Sequence, residues 1–118
     1  MLEEIKKVAK EFLDKTQNKE IKIISHNDTD GITAAAIMAR ALQRLNKKFS
    51  IIIVKQLEEK IIKELPEDKI LVFLDLASNS FNYLKELKID LFILDHHEII
   101  SEIPENTRVI NPCLFNKE

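Results

Sequence analysis

Two kinds of hydrophobic pattern alternate along the chain. Leu2, Ile5, Val8, Ala9, Phe12 and Leu13 recur at helical spacing among lysines and glutamates, which predicts a helix over 2–17 with one apolar face. Residues 20–25 (EIKIIS) form a short β-branched run and predict a strand. Residues 32–46 then return to helical composition, where Ala34, Ala35, Ala36, Ala39 and Ala41 permit close packing against a sheet. A second strand is predicted over 49–55 (FSIIIVK), followed by a short helix around 57–65 that stops before Pro66. Residues 69–75 (KILVFLD) and 90–95 (DLFILD) are almost wholly apolar before a terminal acid and predict two more strands. Between them lies a helix expected at 79–87 with Ser78 as its N-cap, and residues 108–110 add a short fifth strand.

Strands alternating with helices imply right-handed βαβ units. The expected fold is α/β, a doubly wound parallel sheet of four to five strands with helices on both faces. Nothing in the sequence divides it, so residues 1–118 are expected to form a single domain.

This architecture sorts the acids. Of the aspartates, Asp14 sits in the first helix, and Asp68 and Asp90 precede strands. Asp28, Asp30, Asp75 and Asp95 lie at or just beyond strand C-termini. In a parallel sheet those ends share one edge, while a strand of about six residues spans roughly 20 Å and keeps Asp68 and Asp90 away. The run from Ile23 to Ala36 is the centre of the pattern. An apolar strand stops at His26, Asn27, Asp28, Thr29 and Asp30, the only glycine (Gly31) follows, and a helix begins. Alone, that segment also reads as a turn with capping carboxylates, and Asp75 also reads as a helix cap. Asp95-His96-His97 has less of an alternative, since a charge beside two imidazoles serves no packing purpose.

Four carboxylates brought together repel one another unless cations neutralise them. With His26, His96 and His97 they offer a mixed oxygen and nitrogen set suited to Mn²⁺, Mg²⁺ or Zn²⁺, and the excess of oxygen favours the harder ions. A shared carboxylate such as Asp75 can bridge two ions about 3.5–4 Å apart, the geometry used in displacement at phosphorus. The helix beginning near Ile32 turns its N-terminus toward the same space, where a phosphate is welcome.

Composition narrows the setting. The chain is 45% hydrophobic and 32% charged, which fits a folded domain. A net charge of −2 gives no global attraction to nucleic acid, so any such contact is local. Arg40, Arg44, Lys47 and Lys48 mark a phosphate track, a partner surface or a solvated helix face. No apolar run reaches the roughly 20 residues of a membrane span. The start of the chain has no signal-peptide core, and a single cysteine, Cys113, fits a reducing cytoplasm.

Taken together, His26-Asn27-Asp28-Thr29-Asp30-Gly31, Asp75 within Phe73-Leu74-Asp75, and Asp95-His96-His97 resemble the first three motifs of the DHH phosphoesterase family. Asn111-Pro112 is similar to the pair that follows them, and a histidine ahead of the paired aspartates resembles the archaeal RecJ-like group. The resemblance implies that Asp28 and Asp30 bind metal, that Asp75 is shared between two ions, and that His96 is a further ligand. His26 would ligate or support the first ion, and His97 would face the scissile phosphate. Asp95 would orient the neighbouring histidine or touch the metal directly. The implied ion is Mn²⁺, two per site, with Mg²⁺ an alternative.

The implied activity is hydrolysis of phosphodiester bonds in single-stranded nucleic acid by an exonuclease of DNA repair or replication. Family members continue to a fourth motif with another metal-binding aspartate and to a second domain that grips substrate, whereas this sequence stops at Glu118. A second polypeptide supplying both is therefore expected, beside the readings of an excised fragment or a compact relative. Alternatives within the resemblance are pyrophosphate, a cyclic dinucleotide or very short oligonucleotides as substrate, and a non-catalytic module binding replication proteins.

Overall fold

The computed structural model describes residues 1–114. In chain order the elements are α1 (Leu2–Lys15), β1 (Ile21–His26), α2 (Thr29–Arg44), β2 (Phe49–Val54), α3 (Glu59–Lys63), β3 (Ile70–Leu74), α4 (Phe81–Leu84), β4 (Leu91–Leu94) and β5 (Thr107–Ile110), with a 3-10 turn at Pro112–Leu114. The five strands form one sheet in the order β2-β1-β3-β4-β5. All four pairings are parallel. The doubly wound α/β expectation therefore holds, with the full five strands.

Strand patterning explains the two layers. Parallel strands buried on both faces need apolar side chains throughout, and every residue of β3 is buried. Ile24, Leu71, Phe73, Leu91 and Ile93 pack on one side with Ile62 of α3 and Phe81 and Leu84 of α4. Ile21, Ile23, Ile70, Val72 and Phe92 pack on the other with Ala35 and Leu42 of α2 and with Val8 and Phe12 of α1. Phe12 meets Phe92 edge to face at 5.2 Å between ring centroids. β2 and β5 are the edges, and each leaves part of its face half-exposed.

Several boundaries depart from the sequence reading, three of them with a visible cause or consequence. α2 starts at Thr29, not near Ile32, because Asp28 caps it: its Oδ1 accepts a hydrogen bond from the Gly31 N–H at 2.8 Å. Asp30 and Gly31 thus belong to the first helical turn instead of a preceding loop. α1 ends at Lys15, where Thr16 turns its hydroxyl back to the Phe12 carbonyl at 2.7 Å. α4 is one turn, four residues long, instead of spanning 79–87. Its N-cap position is Ser80; Ser78 is drawn away to a different partner, described below.

The strand order places a switch point between β1 and β3. From β1 the chain crosses outward to β2, then returns past β1 to β3 and continues through β4 to β5. The connections leave the C-terminal ends of β1 and β3 in opposite directions and open a crevice there. Gly31 sits beside that crevice under a steric constraint. A Cβ at this position would lie 2.0 Å from the His26 carbonyl oxygen and 2.6 Å from its carbon. Backbone atoms cannot yield cheaply, so only glycine lets α2 start this close to β1. Replacing Gly31 with alanine is expected to lower unfolding stability by about 2 kcal/mol or more. Denaturant midpoints check this, and an unchanged midpoint contradicts the close-approach role.

Candidate functional site

Three loops bring the predicted side chains to the crevice. His26 is the last residue of β1, and Asp28 follows as the cap of α2. Asp75 comes directly after β3, and Asp95 directly after β4, with His96 and His97 next. Register aligns these ends: Ser25 pairs with Leu74, and Leu74 pairs with Leu94. Ser25, fully buried, ties the first two ends together. Its hydroxyl donates to the Gly31 carbonyl at 2.6 Å and lies 3.3 Å from that of Leu74.

Asp75 stands at the centre. His96 Nε2 lies 2.7 Å from its Oδ1, and His26 Nδ1 lies 3.6 Å from its Oδ2. His26 Nδ1 is also 3.0 Å from Asp28 Oδ2, but off the line that a hydrogen bond requires. The backbone here is held under strain: Asp75 has φ 61° and Ala77 φ 90°, values that side chains with a Cβ avoid. That path swings the chain sharply out of β3 and leaves the carboxylate buried at 5% exposure.

The electrostatics follow from burial and proximity. Burial raises the Asp75 pKa above the ordinary carboxylate value, and neighbouring Asp28 adds to it, against the opposing pull of His96. The Gly31 N–H lowers the Asp28 pKa, with His26 assisting. For His26, desolvation acts downward, but Asp28, the Lys55 backbone and Asp75 together outweigh it, and the imidazole pKa is raised. Asp95 also resists its own burial. Hydrogen bonds from His97, Ser78 and the His96 backbone hold its pKa below the usual range.

The donors fit a cation. His26, Asp28 and Asp75 each offer an atom within 4.8 Å of the others, as do Asp75, Asp95, His96 and His97. Asp75 belongs to both groups. Among the described residues, His26 Nδ1 and Asp75 Oδ2 are buried polar atoms with no hydrogen-bond partner. Buried polar atoms are seldom left unpaired, and a carboxylate oxygen beside an imidazole nitrogen is a ligand pair for a divalent ion. Asp30 stands further out, 73% exposed, with its Oδ2 3.9 Å from His96 Nε2.

Asp95 is differently employed. Its side chain is fully buried, and both oxygens are engaged by donors of the chain itself. Oδ1 lies 2.6 Å from His97 Nδ1 and accepts from the His96 N–H at 2.8 Å, while Oδ2 accepts from the Ser78 N–H at 3.2 Å. This is the partner to which Ser78 is drawn. Asn111 closes the arrangement: it is fully buried and donates to Ser78 Oγ at 3.1 Å and to the His97 carbonyl at 2.8 Å. Its Oδ1 accepts from the Cys113 N–H at 2.8 Å. The sequence marked Asn111-Pro112 only by resemblance, and nothing local in it signals these long-range bonds.

The molecule is therefore a doubly wound α/β protein whose switch point carries a carboxylate–imidazole cluster. Comparison with known proteins gives its family. The DHH family, N-terminal domain, matches residues 20–117, and the chain belongs to that family. It is 33% identical to an uncharacterized protein of Methanocaldococcus jannaschii over 97% of this chain and 29% of that one. It is 26% identical to the single-stranded-DNA-specific exonuclease RecJ of Bacillus subtilis over 82% of this chain and 14% of RecJ. Among solved structures, RecJ from Thermus thermophilus in complex with Mn²⁺ shares the fold with a TM-score of 0.79 at 23% identity, covering 94% of this chain and 17% of that one. The chain thus spans under a third of the length of each of these relatives.

Asn111→Ala removes two donors and an acceptor from a buried network, so unfolding stability is expected to fall by about 1–3 kcal/mol. The His96 and His97 ring resonances are expected to shift with it. Unchanged stability and spectra in this variant would contradict the supporting role.

Proposed function

We propose that the chain is the metal-binding part of a phosphodiesterase acting on single-stranded nucleic acid, with Mn²⁺ as the preferred ion. The observation that carries this reading is the pair of buried, unpartnered atoms on His26 and Asp75, placed where three strand ends converge. Family membership and the likeness to RecJ support the reaction class.

In this reading His26, Asp28, Asp75 and His96 would hold the ions, with Asp75 common to both groups of donors. Asp30, in the first turn of α2, would turn in to complete the set. When bound, the ions lower the pKa of water and hold the non-bridging oxygens of the phosphate. The chain's own contribution is orientation. Asp95 fixes the His97 ring through Nδ1, which leaves Nε2 free to face the scissile phosphate and handle a proton there. Ser78 and Asn111 hold Asp95 and the His97 main chain in that pose. The strained segment at Asp75–Ala77 keeps the central carboxylate from relaxing away. Further parts of the active unit, including the grip on a long substrate, would come from additional protein, in the same polypeptide or in another.

A second reading is favoured by the net charge of −2: a small phosphoester such as pyrophosphate, a cyclic dinucleotide or a very short oligonucleotide. A panel of labelled single strands, duplex, pyrophosphate and a cyclic dinucleotide, each with Mn²⁺, separates the two. In the active unit, with the additional protein present, cleavage is expected of single strands only, abolished by chelation, and reduced about 10- to 100-fold in Asp95→Asn through misplaced His97. Turnover of pyrophosphate or the cyclic dinucleotide with single strands untouched would overturn the first reading in favour of the second.

A further inference from the structure

Beside the metal cluster, on the side of α3 and α4, lies a cavity of about 340 Å³ that no role above uses. Its lining includes Asp75 and His97 of the cluster together with Lys55, Asn79, Ser80 and Tyr83. We propose that this cavity is a nucleoside subsite, in which Tyr83 stacks on the base next to the scissile phosphate and Lys55 holds a flanking phosphate.

The lining chemistry selects for that ligand. A free phosphate needs no aromatic ring or apolar floor, and an apolar ligand leaves an ammonium, an amide and a hydroxyl unused. A nucleotide uses all of them: a flat π-face, a polar sugar and an anionic group. The volume falls within the range of small-molecule sites.

Tyr83 has no packing duty that accounts for its place. α4 buries its apolar side through Phe81 and Leu84, 1% and 0% exposed, whereas Tyr83 is 45% exposed. One helical turn separates it from Ser80, and Tyr83 N–H donates to the Ser80 carbonyl at 3.1 Å, so both side chains rise from the same small platform. Ala77, with φ 90°, turns the chain from the metal cluster into that platform. Among the described residues, the second cavity at the cluster, on the side of Ala34 and Ile110, has no lysine, arginine, phenylalanine, tyrosine or tryptophan in its lining. Among the described residues, the stacking ring and the ammonium thus lie on the α4 side of the cluster.

This inference rests on the phosphodiester reading for its substrate, yet it is tested by binding alone. Tyr83 is the only tyrosine and the chain has no tryptophan, so a labelled Tyr83 ring reports one place without ambiguity. The full chain is titrated with thymidine 5′-monophosphate in Mg²⁺, which is diamagnetic, and in parallel with deoxyribose 5-phosphate. Saturable ring-current shifts of Tyr83 are expected with the nucleotide and not with the sugar phosphate. Calorimetric affinity is expected to fall roughly tenfold in Tyr83→Ala and in Lys55→Gln, and to be retained in Tyr83→Phe. Equal shifts with the sugar phosphate, no shift at saturation, or unchanged affinity in Tyr83→Ala would each overturn the proposal. Tyr83 shifts as expected, in an active unit that with its additional protein hydrolyses no oligonucleotide, would count against the phosphodiester reading and leave the subsite standing.

Discussion

A carboxylate buried at the end of the central strand sets the terms for everything around it. Asp75 is 5% exposed and lies between two imidazoles, beside the capping carboxylate of Asp28. Burying charge in a protein interior is costly unless partners compensate, and here one of its oxygens has none within the described residues. The backbone adds to the cost, since the left-handed conformation at Asp75 and the outlier at Ala77 are states that a chain keeps only when its surroundings enforce them. Strain and unpaired charge in one place, on an otherwise regular scaffold, mark a position shaped for a ligand more than for stability.

The scaffold shows how that position is enforced. β3 is wholly buried and central, with β1 and β4 on either side, so its end cannot drift. The switch in strand order opens the crevice over β1 and β3, and the glycine in the first turn of α2 allows that helix to close directly over the His26 backbone. A step further out, Asp95 is satisfied by His97, Ser78 and the His96 backbone, and Asn111, directly after β5, locks Ser78 and the His97 backbone in place. The two aspartates that follow adjacent strands thus have opposite electrostatics. Asp75 is short of donors and titrates high; Asp95 is saturated with them and titrates low. One suits a cation, and the other suits a ring that must be held still.

Much of this was legible in the chain, for a physical reason. Apolar runs ending in an acid, such as 70–75 and 91–95, are the signature of strands buried on both faces with chemistry at the exit, and parallel topology brings their ends together. What stayed hidden depended on contacts distant in sequence. Ser78 looked like a helix cap because a serine before an apolar run usually is one; its backbone instead serves Asp95, 17 residues on. Asn111 reaches 33 residues back to Ser78, and no local pattern encodes that. The start of α2 was misplaced because Asp28 and Asp30 resemble loop residues, while one of them is the cap and the other lies in the first turn. The need for glycine at Gly31 is steric and becomes visible only when β1 and α2 are set side by side.

The most direct test of the central claim is a calorimetric titration of the full chain with Mn²⁺, beside Asp75→Asn and Asp68→Asn. Asp68 lies at the opposite end of β3 and serves as the control for charge alone. Saturable binding is predicted in the parent and in Asp68→Asn, with affinity at least about tenfold weaker in Asp75→Asn. Equal binding in the parent and Asp75→Asn, with both folded, would contradict a metal centre built around Asp75.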